Sequence, residues 1–210
     1  LVYSRIWGYD RRLVTGIKLG WVPIEEYTFF VLQPLMTGSL LLWRSRREQS
    51  DPPANNTMIA QRVVATSVLG ALWVASVLGV WRGGPRLRYL TLITSWALPP
   101  IMLQTAFGGD ILWRHRRMIA SAVIPASLYL GAADSHAIRA GTWNISPRRT
   151  VGIDVIPHLP IEEFLFFCLT NLLLVFGVTL VLSKESEQRL PGFLRGRYER
   201  FKARYIARSE

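Results

Sequence analysis

Five long apolar stretches, parted by short polar connections, organise this chain of 210 residues. They run from Tyr27 to Trp43, Met58 to Trp81, Tyr89 to Phe107, Met118 to Ala133 and Ile161 to Leu182. A bilayer core about 30 Å thick takes about 20 mostly apolar residues of helix, with a working range of about 17–25. The pattern therefore predicts five transmembrane helices in an all-α integral membrane protein. The fourth stretch is the shortest, and Ile111 to Trp113 is expected to extend it.

Two of the stretches open on the same text. Val22-Pro23-Ile24-Glu25-Glu26-Tyr27-Thr28-Phe29-Phe30 recurs, 137 residues later, as Leu159-Pro160-Ile161-Glu162-Glu163-Phe164-Leu165-Phe166-Phe167. The likeness reaches upstream, where Trp7 and Gly16 precede the first motif and Trp143 and Gly152 the second. An even number of crossings separates the motifs, so both carboxylate pairs are expected at one membrane face, on parallel helices. Such a parallel internal repeat lets four acids converge.

Spans three and four precede the second unit, and Asp134 closes span four. No counterpart precedes Trp7, and the chain begins at Leu1 rather than Met. Two further helices and an acidic residue are therefore expected ahead of Leu1, for about seven spans in the complete protein. The expected organisation is a transmembrane domain over 1–182, with repeat units of about 1–43 and 89–182 joined by the span 58–81, and a basic tail over 183–210.

Charge fits this division. Half of the residues are hydrophobic, yet the formal net charge is +11. The bases crowd into connections such as Arg44, Arg46 and Arg47, or Arg82, Arg86 and Arg88, or Arg114, Arg116 and Arg117. They are therefore flanks of spans, not a nucleic-acid surface. With five spans, 15 of the 25 Lys and Arg residues fall on the side of the tail, which the positive-inside rule places in the cytoplasm. In the tail, Phe193, Leu194, Tyr198, Phe201, Tyr205 and Ile206 recur at helical intervals, as in an amphipathic helix on anionic headgroups; a disordered basic anchor fits the composition equally. Cys168 is the single cysteine, so no disulfide forms within the chain. The triplets Asn55-Asn56-Thr57 and Asn144-Ile145-Ser146 are short enough to arise by chance and carry little weight as glycosylation sites.

Paired acids at the mouth of a span are costly. Proline at the first helical position, expected here of Pro23 and Pro160, and Glu in the first turn are ordinary, because the acid complements the helix dipole. A start needs one acid, however, and both copies carry two. Adjacent helical residues point about 100° apart, so one acid of each pair can serve the backbone while the other faces the interior. Burial disfavours the charged form of a carboxyl group, and a neighbouring carboxylate disfavours it further, so an acid in an apolar cavity can hold its proton. Such an acid suits protonation of a carbon–carbon double bond in an apolar polyene. The resulting cation needs aromatic faces, which Phe29, Phe30, Phe166, Phe167, Trp7 and Trp143 offer. Helix packing is the plainer role for the Phe pairs.

The two motifs resemble the signature segments of the integral-membrane lycopene cyclases. That family occurs as archaeal single chains, bacterial heterodimers and the N-terminal part of fungal cyclase–phytoene synthase fusions. The resemblance runs to about Leu182 and includes Arg5-Ile6-Trp7 and Ile138-Arg139-Ala140-Gly141-Thr142-Trp143. It implies cyclisation of the linear ends of lycopene to β-rings, an isomerisation needing no cofactor or metal. It implies Glu25, Glu26, Glu162 and Glu163 as the acid–base residues, with Asp134 as helper. Lycopene, the bilayer and other carotenoid-pathway enzymes are the implied partners. The residues agree in lacking a Gly-x-Gly-x-x-Gly segment after a strand.

Other readings fit less well. A proton-coupled transporter or channel would use the same carboxylates, but wants ionisable groups at several depths. A retinal-binding receptor needs a lysine within a span, and Lys18, Lys184 and Lys202 lie outside. A prenyltransferase needs clustered aspartates for magnesium. His115, His136 and His158 are scattered in or beside loops, as surface residues would be.

Overall fold

The computed structural model describes residues 6–10, 12–46, 58–189, 191–192, 195–197 and 200. The chain runs through β1 (Trp7–Tyr9), β2 (Lys18–Leu19), β3 (Val22–Pro23), α1 (Ile24–Ser45) and α2 (Met58–Arg82). A 3₁₀ turn at Pro85–Leu87 leads into α3 (Arg88–Arg114) and α4 (Arg116–Arg139). Then come β4 (Trp143–Ile145), β5 (Asp154–Ile156), β6 (Leu159–Pro160), α5 (Ile161–Leu182) and α6 (Lys184–Arg189).

Each expected span coincides with a long helix. Four segments, Ile59–Arg82, Pro85–Arg114, Arg116–Arg139 and Ile161–Leu182, are long and apolar enough to cross a membrane. The fifth, α1, matches α5 in length at 22 residues but is not among them. Glu25, Glu26, Gln33, Pro34 and Thr37 interrupt its leucines and phenylalanines.

Two expectations need correction. Ile111 to Trp113 belongs to the end of α3, not to α4. The third helix continues past a non-helical residue, Gly108, where an Arg62 guanidinium nitrogen (Nε) donates to Ala106 O at 3.1 Å and Arg189 Nη1 to Phe107 O at 3.1 Å. These charged donors satisfy carbonyls at the break, as a kinked helix requires. Pro23 and Pro160 stand one place earlier than the first helical turn, at the N-cap. Each ends a hairpin strand, and a fixed φ of −63° or −59° with extended ψ suits that place.

Helix α2 packs on α3, both α3 and α4 pack on α5, and α1 packs on α4 and α5. Between α1 and α5, Phe29 meets Phe167, and Gln33 and Thr37 meet Asn171. Residue numbers rise together along both helices, so α1 and α5 run the same way. Two apolar clusters form the core. One holds Tyr89, Ile93, Leu130, Phe166 and Phe167 near the helix starts of α1, α3 and α5; the other holds Leu41, Ile111, Ala122 and Val175. A layer of buried polar side chains lies between them. Gln33 and Thr37 donate to Asn171 Oδ1 at 3.0 and 2.8 Å, and Asn171 Nδ2 donates to Ser127 Oγ at 3.1 Å. Such bonds tie helices together where apolar burial cannot, since lipid is as apolar as the helix faces.

The connecting loops are tied as well. β1 and β4 pair antiparallel with Gly8 opposite Asn144, while β2–β3 and β5–β6 form the hairpins leading into α1 and α5. The tail residues Phe193, Leu194, Tyr198, Phe201, Tyr205 and Ile206, and the triplet Asn55-Asn56-Thr57, lie outside the described residues.

Candidate active site

The loop ahead of each motif folds back over its helix start. Gly16 and Gly152 take φ of +79° and +86°, a left-handed conformation that glycine adopts without steric cost. One residue before each, a backbone N–H reaches the first acid of the motif. Thr15 N–H donates to Glu25 Oε1 at 2.6 Å, and Val151 N–H donates to Glu162 Oε1 at 2.6 Å. The first acid of each pair is a clasp for its loop.

The second acid of each pair turns the other way and meets aromatic donors. The Tyr9 hydroxyl donates to Glu26 Oε1 at 2.9 Å. The Tyr89 hydroxyl donates to Glu163 Oε2, and Trp7 Nε1 donates to the same oxygen at 3.2 Å and to the Tyr89 hydroxyl at 3.1 Å. From the end of α4, Asp134 accepts from Trp143 Nε1 at 2.8 Å through Oδ1. Its buried Oδ2 has no hydrogen-bond partner among the described residues. Burial, and then the nearby Glu26 carboxylate, push the Tyr9 phenol well above its ordinary range, so it remains a protonated donor.

These groups enclose a cavity of about 180 Å³. Glu26, Asp134 and Glu163 all line it and lie close enough to feel one another's charge. Its walls are aromatic. Trp7 stands edge-on to Phe166 with ring centres 5.8 Å apart, Phe166 meets Phe167 at 5.8 Å, and Phe29 meets Phe167 at 5.8 Å.

Nine of the eleven residues singled out from the sequence line this cavity: Trp7, Glu25, Glu26, Phe29, Asp134, Trp143, Glu163, Phe166 and Phe167. Two do not. Glu162 is fully buried as the second loop clasp, and Phe30 is 45% exposed, standing edge-on to two of the lining rings, Phe29 at 5.6 Å and Phe166 at 6.3 Å. Sequence reasoning missed both tyrosines. Tyr9 had a signal, because strand residues two apart share a face and Tyr9 follows Trp7 by two. Tyr89 had none, because a tyrosine at the start of a span reads as an interfacial anchor.

The arrangement can do acid–base chemistry on an apolar guest. Carboxyl groups face a ring-lined space, and each is oriented by an O–H or N–H donor. Among the described residues, no three His, Cys, Asp or Glu side chains are grouped to hold a metal ion.

The chain matches a family model described as lycopene cyclase over residues 1–43 and 87–182. The unmatched interval contains α2. The chain is 39% identical over 186 residues to the lycopene beta-cyclase of Halobacterium salinarum, covering 86% of this chain and 73% of that one. It is 33% identical over 184 residues to a bifunctional lycopene cyclase/phytoene synthase of Sporisorium reilianum, covering 83% and 26%. A protein of the same description from Blakeslea trispora is 32% identical over 189 residues, covering 86% and 30%. No solved structure matches significantly. A family match across most of the chain, on the loops and helices that build the cavity, leaves one conclusion: this chain belongs to the lycopene cyclase family.

Proposed function

We propose that the protein cyclises the linear ends of lycopene to β-rings, giving γ- and then β-carotene, as an intramolecular lyase. The observation that carries this reading is the meeting of Glu26, Asp134 and Glu163 at one aromatic cavity. Like charges facing one another in an apolar space keep at least one carboxyl group protonated. That group protonates the terminal double bond of the polyene, leaving the cation on the more substituted carbon. The inner double bond attacks it, closing a six-membered ring and moving the cation into the ring. A facing carboxylate removes the neighbouring proton, and the electron pair left behind restores a double bond. One proton enters and one leaves, so the product is an isomer of the substrate.

In this mechanism Glu26, Glu163 and Asp134 exchange protons with the substrate, while Glu25 and Glu162 fix the loops that carry Trp7 and Trp143. Phe29, Phe166 and Phe167 stabilise the cation through their ring faces. Phe30 supports Phe166 from outside.

The reading places α1 as a fifth span: its 22 residues reach about 33 Å, and it packs beside α5 in the same direction. The two motif units then form a parallel repeat, with both acid pairs at the non-cytoplasmic face and the basic tail in the cytoplasm. Other carotenoid-pathway enzymes are the natural partners. Neither the cavity nor the relatives support a transporter. The test is expression of the full-length protein in lycopene-accumulating bacteria. Pigment chromatography should show γ- and β-carotene; unchanged lycopene beside abundant membrane-inserted protein would sink the reading.

A further inference from the structure

The cavity around Glu26, Asp134 and Glu163 measures about 180 Å³. An apolar protein cavity of about 150 Å³ holds one benzene molecule, so this one takes a single six-membered ring and little more. A long polyene with one end inside must therefore run out of it. A groove of about 730 Å³ between α1 and α4 shares Glu25, Phe29 and Leu130 with the cavity. From Phe29 it follows Leu32, Met36 and Ser39, a spacing of three or four residues that keeps one helix face. The groove opens to the outside of the bundle, with Leu32 59% and Tyr129 65% exposed. Glu25 to Ser39 spans about 21 Å at 1.5 Å per residue, enough for a long stretch of extended conjugated chain.

We propose that the polyene binds by one end, its remaining length laid along α1 in this groove. The inference rests on the cyclase reading and deepens it. The groove is continuous with the acids and parallel to a helix axis, and its floor offers mostly apolar contact, which suits a hydrocarbon tail. Only one end can reach the acids at a time. A second ring then requires the one-ring product to leave, reverse and enter again.

Met36→Trp and Ser39→Trp, made separately in the full-length protein, obstruct the groove without touching the acids. Each is assayed on the full polyene and on a truncated polyene that has the same acyclic end but a tail too short to pass Leu32. The ratio of kcat/KM for long over short substrate should fall about tenfold, mainly through KM. An unchanged ratio in both variants would overturn the groove and leave it to a lipid chain or another protein segment. A second measurement needs no variant. Labelled one-ring product should appear free and be trapped when unlabelled lycopene is added in excess. Passage of label straight to the two-ring product despite the excess would overturn binding by one end. If the unaltered protein converts neither substrate, the cyclase reading itself fails, and the groove falls with it.

Discussion

The Tyr9 hydroxyl donates to Glu26 across 2.9 Å, from a loop strand to the first turn of a helix 17 residues away. The bond separates the two acids of the motif, since Glu25 beside it is held by the backbone of Thr15. The same division recurs in the second motif, with Glu162 on the Val151 amide and Glu163 under Tyr89 and Trp7.

The glutamates should therefore differ within each pair. Gln keeps an acceptor oxygen, so Glu25→Gln and Glu162→Gln still clasp their loops and lose little cyclisation. Glu26→Gln and Glu163→Gln remove a proton donor or acceptor and should lose about 100-fold or more. Pigment yield per unit of membrane-inserted protein measures this. Equal loss at all four positions would refute the division.

Tyr89→Phe removes the buried donor on Glu163 while keeping the ring, and should slow cyclisation about 100-fold, in kcat more than KM. Tyr9→Phe should act in the same direction at Glu26. Tyr9 also gives a test at high pH. Its pKa is raised in the folded state, so the folded protein keeps a proton that the unfolded chain releases above about pH 10. The stabilisation is complete below that pH and fades as pH rises further. Thermal melting in detergent should fall more steeply with alkaline pH for the unaltered protein than for Tyr9→Phe.

Asn171 is fully buried and joins three helices through Gln33, Thr37 and Ser127. Asn171→Leu removes the acceptor shared by Gln33 and Thr37 and the donor to Ser127 in the middle of the bundle, although Gln33 keeps its bond to Thr170 Oγ1 at 2.5 Å. A loss of about 1–3 kcal/mol is expected, seen as a lower melting temperature. No change in melting would mean that the layer contributes nothing to stability.

At the far end, Arg189 Nη1 donates to Asp110 Oδ1 at 2.8 Å, and Arg114 Nη1 donates to Glu185 Oε1 at 2.7 Å, docking α6 on the end of α3. Asp110→Ala removes the first of these pairs and should loosen α6, which Arg114–Glu185 then holds with less support. Proteolysis between Lys184 and Arg189 should then quicken while cyclisation is retained, because the acid cavity lies at the other end of the helices.

Five helices, their approximate limits and the doubled acid motif were legible in the chain because each rests on local periodicity. Apolar runs of bilayer length fold as helices whatever their neighbours, and a proline before two acids marks a helix start by its own chemistry. The convergence of Glu26, Asp134 and Glu163 was partly legible too, because counting crossings places both motifs at one end. Which acid of each pair faces the cavity was not. Glu25 and Glu26 are chemically alike, and only the fold-back of the Gly16 and Gly152 loops occupies one and frees the other. Tyr89 reaches Glu163 from a separate helix across 74 positions of chain. No local pattern encodes such a contact, because it exists only once α3 and α5 have packed.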